Sequence, residues 1–443
     1  MGAKTRKLSQ INDSLIEWQS VVVADGSTGL TAVAGRGYFI NTTGGAITVT
    51  FPASPKIGDT IIINDYATTF ATNNVTINLN GNKLEANTTN ATLSTNDQTH
   101  TFVFTDATQG WKIVNQDTGT GIQTKFITAT GGTITTSGDF KIHSFTGDGC
   151  FAVSQIGIGS GPNIVDYLVV AGGGGGGKGE DNAAGGGAGG FRMSNFYGLP
   201  APTTSPLASP TGITLTATTF PITVGAGGPA AVAAPGINTK GTPGSNSVFS
   251  TITSTGGGGG GMRNGSPPCN GAGLSGGSGG GGGNLAASPG AGGAGNTPPV
   301  SPSQGNNGGL GISDNSTFSS TGGGGGAGAV GTDGTPSTTG NGGVGSFLSP
   351  CFAVSCAGTP GPAPGVRYFA GGGGGGNHPA IPAGGLGASG GGGAGGKQTP
   401  ANAVAGTANT GGGGGGGASG VPNPHNGGAF GGKGIVVIRY KFQ

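Results

Sequence analysis

Five uninterrupted runs of glycine restrict what this chain can fold into. They span residues 172–177, 256–261, 322–326, 371–376 and 411–417. An interior glycine costs about 1 kcal/mol relative to alanine in a helix, so the runs cannot form stable helices. They also bring no side chains to the core of a sheet. What remains is an extended left-handed helix with three residues per turn, whose backbone groups must pair with neighbouring segments.

The runs belong to a repeat in which the chain goes out and comes back. A short polar or proline-containing piece follows each run, and a second glycine-rich stretch follows that piece. The return stretches are 185–190, 271–283, 340–345, 384–396 and 427–434. Six residues of the extended helix rise roughly 19 Å, at about 3.1 Å each. The ten stretches could therefore form a hydrogen-bonded slab of rods, in which Gly174→Val or Gly374→Val would hold the backbones apart.

Composition alone would favour a disordered chain instead of a packed slab. Of 443 residues, 108 are glycine, 27 are proline and only 8% are charged. Glycine loses more conformational entropy on folding than any other residue, and such compositions are typical of linkers. The regular repeat, with a strand-like lead-in before most runs, favours the packed slab instead. Collagen is excluded because no Gly-X-Y register is kept through the chain.

The first part of the chain has the pattern of short β-strands. β-Branched and aromatic runs alternate with Gly, Pro, Asn and Asp, and Asn80-Gly81 is a tight-turn signal. The pattern predicts a small sandwich over residues 20–117. Further strands are expected at 125–130, 140–145, 150–153 and 165–170. The predicted strands within the sandwich are 21–24, 37–42, 46–51, 60–64, 74–79, 99–105 and 111–114.

Residues 5–19 are the one predicted helix. Leu8, Ile11, Leu15 and Trp18 fall at i, i+3, i+7 and i+10, which places them on one helical face. A helix this short is marginal alone in water, so its apolar face needs a partner. We therefore predict an attachment segment at 1–19. The sandwich module follows at 20–117, then a strand connector at 118–170 and a glycine-rich tip at 171–443.

The common catalytic and ligand-binding motifs are not formed. Polyglycine matches G-x-G-x-x-G trivially, and no Gly-Lys-Ser/Thr sequence forms a phosphate loop. Cysteine and histidine are too scattered for zinc, and Asp314 and Asp333 are the only acids after residue 181. We therefore expect no enzyme activity, metal or cofactor. A net charge of +2 argues against nucleic acid, and no apolar run could span a membrane.

Several sequence blocks resemble the glycine-rich domain of bacteriophage tail fibres and adhesins. They are residues 166–172 (DYLVVAG), 221–228 (PITVGAGG), 246–249 (NSVF) and 434–440 (GIVVIRY). The block 20–117 is similar to a β-module of marine phage fibre proteins, from 21–28 (VVVADGST) to 110–114 (GWKIV). The resemblance implies a polyglycine-II bundle whose connecting loops contact the host receptor. It also implies a virion location and, as is common for such fibres, a homotrimer.

Together these patterns predict an all-β fold. A small N-terminal β-sandwich-like module precedes strands that frame a polyglycine-II-type bundle, with a short helix at the N-terminus. The expected function is a virion tail fibre or adhesin. It would dock on other phage tail or virion proteins through its N-terminus and bind a host surface glycan or outer-membrane protein. Two alternatives stay open: a head or tail decoration fibre without receptor binding, and a glycine-rich bacterial adhesin or ice-binding protein.

The pieces that follow the five runs are the predicted receptor-binding loops. They are 178–184, 262–270, 330–339, 377–383 and 418–426, and an out-and-back arrangement would bring them to one end of the slab. A rigid frame that presents variable loops is a common basis for binding specificity. The alternative is that they are simple turns. The candidate contact residues are Lys178, Glu180, Asp181, Met262, Arg263, Asp333, His378, Pro379, Pro424 and His425.

Overall fold

The chain folds into two compact units, each with its own core. The computed structural model describes residues 16–117, 126–157, 162–179, 182–199, 204–231, 238–263, 271–285, 288–313, 319–349, 352, 357–378, 381, 383–397, 402–418 and 427–443. The N-terminal unit contains residues 16–117 and residue 157, and the C-terminal unit contains 126–156 and the described residues from 162 onward. The described part of the chain is all-β and contains no helix. The all-β prediction is therefore confirmed.

Ten strands form the N-terminal unit. They are β1 (Glu17–Trp18), β2 (Val22–Val23), β3 (Leu30–Thr31), β4 (Arg36–Asn41), β5 (Ile47–Thr50), β6 (Thr60–Asp65), β7 (Val75–Asn78), β8 (Ala91–Leu93), β9 (Thr99–Asp106) and β10 (Gly110–Asp117). One sheet has the order β1-β4-β6-β9-β10 with β2 also paired to β4, and the other has the order β3-β5-β7-β8.

The strands of this unit wind between the two sheets. From β3 to β7 each successive strand lies in the other sheet, and neighbours within each sheet run parallel. The strands β8, β9 and β10 then close the module with antiparallel pairs. Alternating strand residues point inward, as the sequence pattern predicted. The parallel winding was not predicted, because alternation is the same for parallel and antiparallel strands.

Aromatic side chains fill the core between the two sheets. The ring of Phe51 makes edge contacts with Phe102 and Trp111, at centroid distances of 5.1 and 5.0 Å. All three side chains are fully buried. Large aromatic rings therefore fill the space between the two sheets.

The predicted helix over 5–19 is wrong where the structure describes it. Glu17 and Trp18 form strand β1, which pairs in parallel with β4. The backbone N–H of Glu17 donates to the carbonyl of Gly35 at 2.8 Å, and that of Gln19 donates to Gly37 at 2.9 Å. The backbone is thus bonded to a neighbouring strand instead of to its own preceding turn. Apolar spacing over so few residues does not separate a helix from an edge strand.

Eighteen shorter strands belong to the C-terminal unit. They are β11 (Thr128–Thr130), β12 (Thr133–Ser137), β13 (Phe140–Phe145), β14 (Gly149–Gln155), β15 (Ile164–Val170), β16 (Phe191–Ser194), β17 (Ala208–Ser209), β18 (Ile213–Thr214), β19 (Thr219–Thr223), β20 (Ser247–Phe249), β21 (Ile252–Ser254), β22 (Asn284–Leu285), β23 (Ser288–Pro289), β24 (Ile312–Ser313), β25 (Ser319–Ser320), β26 (Ser346–Leu348), β27 (Arg367–Phe369) and β28 (Ile435–Lys441).

The strands before and after the glycine-rich region pair with each other. β15 and β28 are antiparallel neighbours in a seven-stranded sheet, with Asp166 opposite Arg439. A five-stranded sheet with the order β11-β14-β19-β20-β21 shares an apolar core with this pair. The first and last strands of the region therefore meet at the base of the glycine bundle.

The run 172–177 lies at the centre of the bundle and shows its construction. Successive backbone N–H groups donate to three different neighbours, and the pattern repeats every third residue, as expected for three residues per turn. Gly172 and Gly175 donate to Ser245 and Thr242, Gly173 and Gly176 to Gly432 and Ala429, and Gly174 and Gly177 to Gly187 and Ala184, at 2.8–3.1 Å. This is the polyglycine-II-type bundle that the sequence predicted, with backbone pairing in place of a side-chain core.

Each unit also buries one histidine. The ring nitrogens of His100 have no hydrogen-bond partner, and burial lowers its pKa. The Nδ1 of His143 lies 2.7 Å from the carbonyl oxygen of Gly131, and its Nε2 lies 3.0 Å from the hydroxyl of Tyr440. Burial lowers the pKa of His143 as well. At neutral pH both rings are therefore uncharged in the folded chain.

We expect both units to lose stability in mild acid. An unfolded histidine takes up a proton near pH 6.5, whereas the folded rings resist it. The stabilisation is thus complete above about pH 6.5 and is lost as the pH falls toward the folded pKa values. Calorimetry of the full chain between pH 7.5 and 5 would measure this. A His100→Leu variant should flatten the pH dependence of the N-terminal unit alone, and equal slopes in variant and parent would contradict the assignment.

Candidate functional site at one end of the glycine bundle

The direction of each glycine run decides which loops share an end of the bundle. The run 256–261 is parallel to 172–177, since Gly257 donates to Gly172 and Gly260 donates to Gly175. The run 411–417 is also parallel to it, since its residues 414 and 417 donate to residues 174 and 177. The return stretch 185–190, together with Ala184 before it, is antiparallel to all three. The runs 172–177, 256–261 and 411–417 lead toward the same end of the bundle, which we call the loop end.

The starts of several predicted loops meet at the loop end. Ala183 donates its N–H to the carbonyl of Gly417 at 2.9 Å and forms an isolated bridge with Met262. Asn182 forms another bridge with Ala418. Gly376, the last residue of its run, donates to the carbonyl of Ala183 at 2.8 Å. The structure thus brings together the pieces that begin at residues 178, 262, 377 and 418.

A layer of buried polar side chains closes the bundle at the loop end. Asn182 donates from Nδ2 to the carbonyl of Ser319 at 2.8 Å, and the Ser319 hydroxyl donates back to Asn182 Oδ1 at 3.2 Å. Asn284 Nδ2 donates to the same hydroxyl. Thr321 Oγ1 donates to the carbonyls of Ala183 and Gly376, at 3.3 and 3.1 Å. These side chains satisfy backbone groups where the glycine runs end.

Sequence reasoning missed this polar layer. Its members are fully buried or nearly so. The available signal was position. Asn284 directly follows a glycine stretch, Thr321 directly precedes one, and Asn182 lies within three residues of one. Where a rod ends, backbone groups of the neighbouring rods lose their hydrogen-bond partners. A polar side chain at that position must supply the missing hydrogen bonds.

Two of the predicted contact residues have buried side chains. Lys178 is completely buried, and its backbone pairs with Thr239 in both directions, at 2.8 and 3.0 Å. Met262 is 8% exposed and bridges Ala183. Both residues therefore anchor the loops in this chain instead of presenting a contact surface.

The other described candidates are more accessible. Arg263 and His378 are half-buried, and the carbonyl of His378 accepts the N–H of Ile381 at 2.8 Å. Asp333 is exposed and accepts the N–H of Leu310 at 2.7 Å. The remaining candidates, Glu180, Asp181, Pro379, Pro424 and His425, lie outside the described residues.

The run 322–326 points the opposite way from the other long runs. Residues 322 and 325 pair with 282 and 279, so this run is antiparallel to 278–283. That segment is itself parallel to 256–261. Val330 therefore does not follow a run that leads toward the loop end. The chain turns at 327–329, away from the loop end, and then runs back toward it. It reaches the loop end near Thr339, whose hydroxyl donates to the carbonyl of Ala383 at 3.0 Å.

Of the predicted attachment face, only Trp18 is described. Its ring stacks on Phe39 at a centroid distance of 4.5 Å and lies over Gly37, where a Cβ would come within 3.0 Å of the indole. The side chain remains 47% exposed. Leu8, Ile11 and Leu15 lie outside the described residues.

The described residues contain neither a metal-binding cluster nor a membrane-spanning helix. No group of three His, Cys, Asp or Glu side chains there is close enough to hold a metal ion. No helix within the same residues is long and apolar enough to cross a membrane.

Comparison with known proteins matched the second of the two units. The profile of a family described as a glycine-rich domain matches residues 150–441. The match begins in β14 and ends in β28, so it includes both the framing strands and the whole glycine bundle. No curated protein was found to match the chain.

Proposed function

This chain belongs to the glycine-rich domain family, and we propose that it is a virion fibre protein that recognises a host cell surface. The observation that carries the proposal is the convergence of the loops that begin at 178, 262, 377 and 418 on one end of a rigid bundle. Binding surfaces are commonly built from variable loops on a rigid frame. The sequence resemblance to phage tail fibres and adhesins supports the same role.

The working surface would consist of the loop tips, because the roots of the loops are buried. Met262, Asn377 and Ala418 are each less than 10% exposed and hold their loops in place. The receptor would be a host surface glycan or an outer-membrane protein. The N-terminal segment would attach the fibre to other phage tail or virion proteins.

We expect a loop-exchange variant to lose receptor binding without unfolding. Segments 264–270, 379–380 and 419–426 would be replaced by Ser/Gly pieces of equal length, and the buried residues Met262, Asn377, Ile381 and Ala418 would be kept. The purified parent should compete with the phage for adsorption to its host cells, and the variant should not. Calorimetry should give both proteins the same unfolding temperature. Equal competition by the two proteins would show that these loops are not the receptor-binding surface.

Immunogold labelling of virions would test the location. Gold at the distal tail fits the proposed role, whereas gold on the head or along the tail would favour a decoration fibre. Particles without any label would contradict a virion protein.

We further propose a homotrimer, which would bring three loop ends together. A light-scattering mass near the 41.8 kDa of one chain would exclude it.

A further inference from the structure

The outer face of the smaller sheet in the N-terminal unit carries two straight rows of hydroxyl and amide side chains. The register aligns Thr48 with Thr76 and Thr76 with Thr92 across β5, β7 and β8. The second row aligns Thr31 with Thr50 and Thr50 with Asn78 across β3, β5 and β7. Strands lie about 4.8 Å apart, and next-but-one residues are about 6.6 Å apart along a strand, so the groups form a regular grid.

The hydroxyls of this grid are not used by the fold. Among the described residues, the side chains of Thr48, Thr76 and Thr92 have no hydrogen-bond partner, although nearby Thr28 and Ser27 both donate to Asp25. Thr48 and Thr92 are exposed, and Thr76 is half-buried. Valine or isoleucine would serve the strands equally well at these positions. The grid therefore offers several unpaired donors and acceptors in fixed positions.

A cleft opens beside the first row. It has a volume of about 190 Å³, and its lining is uncharged: Gly26, Ser27, Thr28, Gly29, Ala46, Ile47, Thr48 and Thr76. Ligand pockets for drug-sized molecules span roughly 300–1,000 Å³, so this cleft has room for one small ring. The turn that forms its rim is held by Asp25, whose carboxylate accepts four hydrogen bonds from Ser27 and Thr28.

We propose that this grid and its cleft bind an uncharged polysaccharide. A sugar chain presents hydroxyls at regular intervals, and each can both donate to and accept from a threonine hydroxyl. An anionic glycan would find no cationic side chain in the lining of the cleft, and the Asp25 carboxylate in the adjoining turn remains negatively charged. One sugar ring would occupy the cleft, and the following units would lie across the Thr48, Thr76 and Thr92 row. This site is separate from the loop end and does not depend on the function proposed there.

Affinity electrophoresis of the full chain would test the proposal. The probes are three neutral polysaccharides, laminarin, dextran and galactomannan, with alginate as an anionic comparison. At least one neutral gel should retard the parent, and alginate should not. The double variant Thr48→Val/Thr76→Val removes two hydroxyls and keeps the shape and strand propensity of both side chains. It should lose retardation at least tenfold and keep the parent's unfolding temperature.

The matched control is Thr101→Val on the outer face of the other sheet, where the threonine hydroxyl is also unused. It should behave as the parent does. The proposal fails if no neutral gel retards the parent, or if the double variant is retarded as strongly. It also fails if the double variant changes the oligomeric mass, because the face would then be a subunit contact. The loop-exchange variant should keep its retardation, which separates this site from the receptor-binding loops.

Discussion

A single methyl group added at Gly174 should destabilise the C-terminal unit by about 3 kcal/mol or more. Overpacking of a well-packed core typically costs roughly 1–3 kcal/mol, and this site is more severe because no neighbouring side chain can move aside. A Cβ on Gly174 would come closer than 3.0 Å to the carbonyl of Gly258, and one on Gly374 would meet the carbonyl of Gly385 in the same way. We expect Gly174→Ala and Gly374→Ala to lower the unfolding temperature of this unit strongly, and valine to lower it further.

Gly147 offers the matched control for these substitutions. It lies in a bend of the same unit, and a Cβ there would meet only the tip of Lys433, at 3.6 Å. Gly147→Ala should therefore change the calorimetric unfolding temperature little. If Gly147→Ala and Gly174→Ala melt alike, close packing of bare backbones does not stabilise the bundle.

Ala188 shows where the packing of the bundle accepts a side chain. It interrupts the return stretch 185–190, yet it is fully buried. Its methyl group belongs to an apolar cluster with Leu168, Val170 and Phe191, at the base of the bundle. A side chain is thus accepted where a rod faces an apolar core and is excluded where it faces another rod. Ala188 therefore marks the point at which this rod faces the apolar core.

Long runs of glycine could be recognised from sequence, but the rods at the edge of the bundle could not. Segment 241–245 packs against the central run through Gly241 and Gly244, whereas Thr242, Pro243 and Ser245 are exposed. An edge rod touches its neighbours with only one of the three faces of its helix. It therefore needs glycine at only every third position. Such a segment has no polyglycine run, so it was not among the ten rods predicted from the sequence.

The direction of a rod also could not be predicted from its own residues. A glycine run makes the same contacts whichever way it points, so the reversed run 322–326 looks identical to the outward runs. The turns between the rods indicate the direction of each rod. Gly326 donates to Ala329 across a short turn, and this turn contains no polar or proline-containing piece. The strands were predicted more reliably, because their side chains alternate between core and solvent, as in β7 and β9.

The second large effect is expected at the ion pair that joins the first and last framing strands. Asp166 on β15 and Arg439 on β28 are both buried, with 3.4 Å between Oδ2 and Nη1. The carboxylate also accepts the Ser194 hydroxyl and the Phe196 N–H, each at 2.7 Å. The guanidinium lies over the ring of Phe140, 3.6 Å from its centroid. Each charge is therefore stabilised by other groups in addition to its ion-pair partner.

Asp166→Ala should cost about 3–5 kcal/mol, because it leaves a buried guanidinium without its carboxylate. Arg439→Met should cost less, since three donors still hold the Asp166 carboxylate and methionine can cover Phe140. The double variant Asp166→Ala/Arg439→Met should then be more stable than Asp166→Ala alone, because no unpaired charge stays buried. Denaturant unfolding of the full chain would give the coupling energy from this cycle. Strictly additive losses would mean that the two charges do not stabilise each other, and that the β15–β28 pairing is held by its backbone and apolar contacts alone.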